Sequence, residues 1–164
     1  KNNQGKGCAI QQGIKLAKNN KILIFDGDME LDPRDIKKLM ILDEDIRFAM
    51  GYRFERLNPI KSNFDWGNFM FTSFFNILFQ SNHKDVLCCA KAFYASDIKF
   101  YHIKSQGFDI DIELSSILTT LNKFLMIPQV AINYNRRGAH EGKKLRVFDG
   151  WYILLRILKL YKLF

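Results

Sequence analysis

This sequence lacks the signatures of disulfide-rich, membrane-spanning and common nucleic-acid-binding proteins. It has three cysteines, an odd number with no C-x-x-C pair, and no uncharged apolar run of about 18 residues. No signal peptide is visible, and no RNP-like, zinc-finger or helix-turn-helix pattern occurs. Cys88 and Cys89 are adjacent and are predicted to be free thiols, which suits a reducing cytoplasm. These absences argue against a disulfide framework, a membrane-spanning helix and the common nucleic-acid-binding modules.

Length and composition predict one globular domain with anionic partners. The 164 residues suffice for a sizeable core, and 48% of them are hydrophobic and 14% aromatic. Lysine and arginine number 25 against 17 aspartate and glutamate, which gives a formal net charge of +8. Such an excess of positive charge favours anionic binding partners: nucleic acid, phosphorylated ligands or an acidic membrane surface. Composition does not distinguish among the three.

Three acidic residues follow the most strand-like segment of the chain. The apolar run within Lys21–Phe25 predicts a buried strand, and Asp26, Asp28 and Glu30 come directly after it. Residues two apart project to one side of an extended chain, so we expect these carboxylates to converge beyond the end of the strand. Ligands of open α/β sheets bind at that position. Hard carboxylate oxygens suit Mg²⁺ or Mn²⁺, with substrate phosphates completing the coordination.

Three other interpretations of this segment compete with a metal site. The Asp-Gly pair is typical of a hairpin, but Asp32-Pro33 predicts the start of a helix where the second strand would be. An EF-hand loop beginning at Asp26 would need glycine at Leu31 and glutamate at Lys37. A solvated acidic turn without a ligand stays open.

Helical and strand patterns alternate along the chain and predict an α/β fold. Such alternation is typical of a mostly parallel sheet covered by helices. Beyond the first strand, the predicted elements are a helix from Asp32 to about Asp43, a strand at Ile46–Gly51, an aromatic helix at Asn68–Gln80, a strand at Asp85–Ala95, a helix at Phe108–Leu121 and a strand at Phe124–Tyr134. The aromatic helix is too short to span a bilayer and is interpreted as a buried core helix, with a lipid-facing role as the alternative.

Glycines flank Lys6 at the start of the first predicted helix. They let a ligand approach the backbone N–H groups there, and this end of a helix attracts anions. Lys6 is therefore a candidate substrate-binding residue. The spacing is not that of a Walker A loop, and a plain loop before a helix is the alternative.

Three acids begin the helix predicted at Phe108–Leu121. Asp109, Asp111 and Glu113 all lie where negative charge complements the helix dipole. This capping role is the ordinary interpretation of all three, and it is the favoured one for Asp111.

The tail from Phe148 to Phe164 is predicted to be a mostly apolar helix. Arg156, Lys159 and Lys162 lie three apart along one side of it. A basic amphipathic helix of this kind either lies in a membrane interface or packs on the domain with a solvated basic edge. The sequence leaves both possibilities open.

Taken in order, these features resemble those of the family 2 glycosyltransferases. The succession is a Gly-Lys-Gly helix start, a strand ending in Asp-x-Asp-x-Glu, Gly-Tyr-Arg, an aromatic helix, D-x-x-C-C, FDIDIEL and Tyr-Asn-Arg-Arg. The resemblance is closest to the polyprenyl-phosphate (dolichyl-phosphate mannose synthase-like) branch, spans about Asn3 to Asp149, and is most specific in FDGDMELDP and R-x-x-x-x-G-K-K-L. It implies a GT-A fold, a Rossmann-like α/β domain over residues 1–147, with residues 148–164 as a C-terminal basic amphipathic helix.

The resemblance also implies roles for individual residues. Asp26 and Asp28 would bind a metal–diphosphate, with Asp28 as a catalytic residue and Glu30 at the position of a third metal ligand; the cofactor would be Mg²⁺ or Mn²⁺. The expected contacts to the donor come from Arg53, Asp85 and, in a basic loop that closes over the diphosphate, Arg137, Lys143 and Lys144. A solvated basic loop is the alternative for the last three.

The implied reaction is inverting transfer of a sugar from a nucleotide-diphosphate sugar to a polyprenyl phosphate, at the inner face of the cytoplasmic membrane. A metal with arginine and lysine donors would stabilise the dianionic leaving group. A polyprenyl phosphate is already anionic and needs no base, whereas a glycan hydroxyl would need one, for which Asp109 is the candidate. Nucleic acid is not an expected partner. The alternatives are glycan-hydroxyl transfer, an inactive fragment and a nucleic-acid-binding module.

The sequence departs from the family pattern in two places. The leading strand and the P-x-Y-N-E-like segment that hold the base and ribose do not occur, so we expect a fragment lacking roughly the first third of the catalytic domain, inactive or unstable alone. An arginine often found just before the G-N of the aromatic helix is also missing, because Phe64-Asp65-Trp66 precede Gly67-Asn68.

Overall fold

The computed structural model describes residues 3–53, 63–135 and 149–163. Helices and strands alternate through these ranges, as the sequence predicts. In chain order they are α1 (Lys6–Leu16), β1 (Lys21–Ile24), a 3₁₀ turn (Pro33–Asp35) that continues into α2 (Ile36–Leu39), β2 (Phe48–Tyr52), α3 (Asn63–Phe79), β3 (Lys91–Tyr94), α4 (Ala95–Ile98), α5 (Ile110–Leu121), β4 (Gln129–Ala131) and α6 (Asp149–Tyr161).

The described strands form one mixed sheet in the order β1-β3-β2-β4. The third strand lies between β1 and β2 and runs antiparallel to both, so that Phe93 is opposite Ile22 on one side and Phe48 on the other. The fourth strand pairs with β2 in parallel. Two of the three pairings are therefore antiparallel, so the described sheet is mixed where a mostly parallel one was predicted. Three of its four strands still point the same way, and the antiparallel insertion of β3 was not foreseen.

Each face of the sheet carries its own apolar core. Side chains alternate across a strand, and in β2 Phe48 and Met50 belong to one core while Ala49 belongs to the other. Helix α5 covers the first of these faces with its stripe of Ile110, Leu114 and Leu118, all fully buried. The apolar periodicity of this helix was correctly predicted from the sequence.

A third core forms between α3, α5 and the tail helix. Phe71 and Phe75 of α3 pack with Ile112 of α5 and with Ile153 and Ile157 of α6. The aromatic helix is thus a core helix, as predicted, and α6 packs one face on the domain. Within the described ranges, no helix is both long enough and apolar enough to cross a bilayer.

Three predicted elements are shorter in the structure. The strand predicted at Asp85–Ala95 is confined to Lys91–Tyr94, because residues 85–90 turn and the backbone N–H of Cys88 donates to the carbonyl of Asp85 at 3.3 Å. The helix expected to reach Asp43 ends at Leu39. The strand predicted at residues 124–134 comprises only residues 129–131.

Helix α2 ends in a turn at Met40, whose backbone N–H donates to the carbonyl of Lys37 at 3.3 Å. Farther along, the carboxylate of Asp43 accepts hydrogen bonds from the backbone N–H groups of Asp45 and Ile46, at 3.0 and 2.7 Å, and so belongs to a separate turn. Aspartate side chains offer the backbone such an alternative to helical bonding. At the other end, Asp32 accepts a hydrogen bond from the N–H of Arg34 at 2.9 Å, which confirms its predicted role as the cap.

Candidate active site

The three predicted metal-binding carboxylates line one small cleft at the end of β1. Asp26, Asp28 and Glu30 share its wall with the side chain of Arg53. The acids reach this place through a turn rather than through an extended chain, because Met29 has a φ of 68° and the N–H of Glu30 donates to Asp28 at 3.2 Å. The predicted convergence is therefore correct, although its predicted geometry is not.

The carboxylates are not preassembled into a metal cage. Across residues 3–53, 63–135 and 149–163, no three histidine, cysteine, aspartate or glutamate side chains are grouped closely enough to hold an ion. A protein-bound Mg²⁺ commonly takes one or two carboxylates and completes its octahedron with water and substrate phosphates. Two carboxylates such as Asp26 and Asp28 would suffice for that kind of site, and metal binding by these two and by Glu30 stays a prediction.

The segment that carries Asp26, Asp28 and Glu30, here called the acidic loop, is hydrogen-bonded through its backbone to residues 133–135, which precede the predicted basic loop. The N–H of Asp32 donates to the carbonyl of Asn133 at 3.1 Å, and the N–H of Asn135 donates to the carbonyl of Glu30 at 2.8 Å. Tyr134, between these two bonds, lines the same cleft. The predicted phosphate-binding residues Arg137, Lys143 and Lys144 lie outside the described residues.

A buried ion pair holds Arg53 at the wall of the cleft. Its Nε and Nη2 donate to the two carboxylate oxygens of Asp85, at 2.8 and 3.0 Å, and its backbone N–H donates to the same carboxylate at 3.2 Å. Burial alone would raise the pKa of Asp85, but the positive charge and hydrogen bonds of Arg53 outweigh it and keep the pKa below its ordinary value. The pKa of Arg53 is correspondingly raised.

Asp85 itself is inaccessible to a ligand. Its side chain is completely buried, and its carboxylate also accepts a hydrogen bond from Asn68 at 3.1 Å. Asp85 was predicted to bind substrate; in this structure it positions Arg53 instead. Asn68 was not among the predicted site residues, although it belongs to the Gly67-Asn68 pair that the sequence analysis used to locate the missing arginine.

Lys6 lies between two carboxylates from distant parts of the chain. Its Nζ is 2.9 Å from Oδ2 of Asp26 and 2.9 Å from Oδ2 of Asp111. Burial would lower the pKa of Lys6, but the negative charges of Asp111 and Asp26 raise it above its ordinary value. Lys6 therefore contacts the acidic site through Asp26, a contact that the sequence did not predict, and its substrate-binding role stays a prediction.

Asp111 has a second role beside the predicted one. It lies in the first turn of α5, where its charge complements the helix dipole as predicted. Its side chain is only 7% exposed and also forms the ion pair with Lys6, and its Oδ1 is buried without a hydrogen-bond partner. Position in a helix is visible in a sequence, but a partner 105 residues away is not.

Asp109, the predicted base for a hydroxyl acceptor, lies in a different place. It precedes α5, its Oδ2 is 3.5 Å from Nε of Arg156, and its side chain makes no capping hydrogen bond. It lines a cavity of about 410 Å³ together with Arg156 and Lys159. Asp109 is not among the residues that line the acidic cleft.

Arg156 fastens the tail helix to the rest of the protein. Its Nη2 is 2.6 Å from Oε2 of Glu113, and its Nε donates to the hydroxyl of Ser105 at 3.1 Å. The Glu113 carboxylate also accepts hydrogen bonds from the backbone N–H groups of Lys104 and Ser105. Of the three basic residues predicted along one side of the tail, Arg156 therefore faces the rest of the protein, while Lys159 and Lys162 are exposed.

Cys88 and Cys89 are free thiols, as predicted, and so is Cys8. Burial raises the pKa of Cys88 to about 11, and it also raises that of Cys89, which lines the acidic cleft. A protonated thiol is a poor nucleophile. Neither residue is suited to covalent chemistry at the site.

Comparisons with known proteins identify the fold. No family model matches the chain, and no curated protein does. Among solved structures it is similar to glucosyl-3-phosphoglycerate synthase from Mycobacterium tuberculosis in complex with Mn²⁺, UDP and phosphoglyceric acid, with a TM-score of 0.69 at 12% identity over 96% of this chain and 54% of that one. The complex of the same enzyme with Mn²⁺, UDP-glucose and glycerol 3-phosphate gives a TM-score of 0.62 at 13% identity. The complex with Mg²⁺ and UDP gives 0.66 at 12% identity.

In both of these further comparisons, 96% of this chain matches 55% of the other. The chain thus spans about half the length of the solved structures that it matches. At this low identity, the likeness establishes the arrangement of helices and strands. The chain therefore has the GT-A glycosyltransferase fold.

Proposed function

We propose that this chain carries the metal- and diphosphate-binding part of an inverting glycosyltransferase of the family 2 type, which takes its sugar from a nucleotide-diphosphate sugar. The observation that carries the proposal is a single cleft in which Asp26, Asp28 and Glu30 face Arg53. A cleft with both signs of charge suits a metal–diphosphate, which itself carries both. The solved glucosyl-3-phosphoglycerate synthase structures of the same fold hold Mn²⁺ or Mg²⁺ together with UDP.

The residues of the cleft suit the charge that develops when a sugar leaves a diphosphate. When bound at Asp26 and Asp28, Mg²⁺ or Mn²⁺ would neutralise part of that charge. Arg53 adds a fixed positive charge, because its pair with buried Asp85 prevents the guanidinium from turning away. Lys6 brings a second positive charge, its ammonium, beside Asp26. Such preorganised charges stabilise the leaving group without reorganising during the reaction.

For the acceptor we propose a polyprenyl phosphate, reached from the inner face of the cytoplasmic membrane. Support comes from the outer face of α6, where Trp151, Tyr152 and Leu155 are 65%, 70% and 60% exposed beside Lys159 and Lys162. Aromatic and aliphatic side chains with flanking lysines are typical of helices that lie in a membrane interface. An acceptor phosphate attacks as an anion, so that this reaction requires no general base.

A hydroxyl acceptor is the second candidate, and the surroundings of Asp109 favour it. A carboxylate able to take a proton stands there in one cavity with the cations Arg156 and Lys159. Such a cavity would suit an acceptor that carries both a hydroxyl and a phosphate. Glucosyl-3-phosphoglycerate synthase has been solved with phosphate-bearing molecules of this kind. Product analysis with polyprenyl phosphate and with hydroxyl acceptors separates the two candidates.

The central proposal is tested by calorimetric titration of the chain with UDP, with and without Mn²⁺. We expect binding that depends on Mn²⁺ and that weakens by at least about tenfold in Asp28→Asn, which removes a metal-binding charge. Glu44→Gln, which removes an exposed acid elsewhere, is the matched control. Unchanged binding by Asp28→Asn would refute the metal assignment. Salt-dependent RNA binding without affinity for nucleotide sugars would favour a nucleic-acid-binding module instead.

Sugar transfer is then assayed with a panel of nucleotide-sugar donors. The assay uses this chain alone and within a longer chain that includes any residues encoded beside it, since the chain spans only about half the length of the solved structure that it matches. We expect little or no transfer by the chain alone, and robust transfer by it would refute the expectation of an inactive fragment.

A further inference from the structure

Lys6 occupies a position that bears directly on metal binding. Its ammonium lies 2.9 Å from Asp26, one of the two proposed metal ligands, and 2.9 Å from Asp111. We propose that Lys6 acts as a resident counter-charge, which disfavours a divalent ion on Asp26 until a nucleoside diphosphate arrives with it. This inference rests on the proposed function, because it assigns a regulatory role at the same site.

The backbone that carries Lys6 is held in place by the packing of α1. The N–H of Gly7 donates to the carbonyl of Gln106 at 2.7 Å, and a Cβ on Gly7 would lie 2.2 Å from the carbonyl oxygen of Ser105. Ser105 in turn donates its N–H to Glu113 at 2.7 Å, on the same helix as Asp111. Helices α1 and α5 are thus tied through one loop, which keeps the Lys6 side chain within reach of both carboxylates, and its ammonium is then held by its ion pairs with Asp26 and Asp111.

The two carboxylates that bind Lys6 differ in how easily they can release it. The Asp111 side chain is 7% exposed, whereas that of Asp26 is 37% exposed. A buried charge that loses its partner is strongly destabilised, while an exposed one can be solvated. Oδ1 of Asp111 already lacks a hydrogen-bond partner, which makes loss of Lys6 more costly still. Lys6 therefore stays on Asp111 and releases Asp26 when a ligand binds.

Repulsion between the Lys6 ammonium and a divalent ion then favours binding of the metal only when a nucleotide binds with it. A divalent ion alone on Asp26 would sit beside an ammonium in a partly buried site, where like charges repel more strongly than in water. A nucleoside diphosphate brings enough negative charge to offset both cations, and its oxygens offer Lys6 a new partner. The expected behaviour is weak binding of the metal alone and strong synergy between metal and nucleotide.

The test is a titration with Mn²⁺, followed by electron paramagnetic resonance, in the absence of nucleotide. The informative variant is Lys6→Met combined with Asp111→Asn, since removing both charges leaves no buried carboxylate without a partner. We expect this double variant to bind Mn²⁺ about tenfold more tightly than the wild type. In a second titration with UDP present, the gain in Mn²⁺ affinity caused by UDP should be smaller in the double variant.

Two controls separate this effect from simpler ones. Asp111→Asn alone retains the ammonium beside Asp26 and should show no tightening. Lys15→Met removes the same charge from an exposed position on the same helix, and it should leave Mn²⁺ affinity unchanged. Circular dichroism of each variant shows whether α1 and the fold are retained.

The outcomes distinguish this inference from the proposed function. If the wild type binds Mn²⁺–UDP and the folded double variant binds Mn²⁺ no more tightly than the wild type, the counter-charge role is overturned and the proposed function stands. Equal tightening by Lys15→Met would overturn it too, because net charge alone would then explain the result. Absence of Mn²⁺ binding by every protein, with or without UDP, overturns the inference and the metal site together.

Discussion

The backbone N–H of Asn135 donates a 2.8 Å hydrogen bond to the carbonyl oxygen of Glu30. This bond joins the acidic loop after β1 to the segment that runs into Arg137, Lys143 and Lys144. The sequence-based hypothesis required these acidic and basic segments to face a common cleft. The basic residues lie outside the described ranges, so the hypothesis stays a prediction; the structure shows that the chain at Asn135 lies beside Glu30.

The ion pair between Arg53 and Asp85 should be a large contributor to stability. Asp85→Asn would leave the guanidinium without its buried counter-charge, so we expect the free energy of unfolding to fall by about 3–5 kcal/mol. Urea denaturation measures this change. Asp97→Asn breaks the pair with Arg47, whose side chain is 34% exposed, and should cost only about 0–1 kcal/mol. Equal losses in the two variants would contradict a structural role for the buried pair.

His83 should make the protein sensitive to mild acid. Its ring is buried, its Nε2 lies 2.8 Å from the hydroxyl of Thr119, and burial, aided by the charge of Lys91, lowers its pKa from 6.5 to about 4. The unfolded chain therefore takes up the proton first as the pH falls. The free energy of unfolding is therefore unaffected by the protonation of His83 above about pH 6.5. It falls as the pH drops from 6.5 towards 4, by up to about 3 kcal/mol in all.

The measurement for His83 is the urea midpoint as a function of pH. His83→Gln should flatten the profile between pH 6.5 and pH 4. Further losses at lower pH, from Asp85 and Glu113, whose pKa values are lowered in the folded state, should remain. His102→Gln removes an exposed histidine and is the control. A profile that His83→Gln leaves unchanged would rule out this explanation of the acid sensitivity.

The exposed face of α6 should bind anionic vesicles if it lies in a membrane interface. Leu155→Glu places a negative charge in the middle of that face, at a position that is 60% exposed and therefore tolerant of substitution. We expect vesicle binding, measured by co-sedimentation, to weaken by at least about tenfold. Leu16→Glu, at a residue 80% exposed on α1, is the matched control. Comparable binding by both variants would count against the membrane proposal.

Two glycines on the same helix should respond oppositely to alanine. At Gly7 a Cβ would meet the Ser105 carbonyl at 2.2 Å, whereas at Gly13 it would meet nothing within 4 Å. We expect Gly7→Ala to destabilise the protein by about 1–3 kcal/mol through overpacking. Gly13→Ala should stabilise it by about 0.5–1 kcal/mol, because alanine loses less conformational freedom in a helix. Thermal unfolding measures both, and a stabilising Gly7→Ala would show that α1 is not held as described.

Local features were predictable where they depend on helical periodicity or on an N-cap residue. The buried stripe of α5 follows from helical periodicity, and the cap formed by Asp32 follows from its place before Pro33. The strand expected at Asp85–Ala95 failed because buried Lys91 donates to the backbone carbonyls of Val86 and Cys88, which favours a turn there. Apolar composition alone cannot distinguish such a turn from a strand.

By itself, the sequence determined the alternation of helices and strands, the acidic loop at the end of β1 and the chemistry that its carboxylates can support. Only the tertiary structure decided that β3 inserts antiparallel between β1 and β2, that Asp85 positions Arg53, and that Asp111 pairs with Lys6. The physical reason is the distance along the chain between the residues that interact. Periodicity and capping act over a few residues, whereas the charge environment of the site depends on groups brought together from distant parts of the chain.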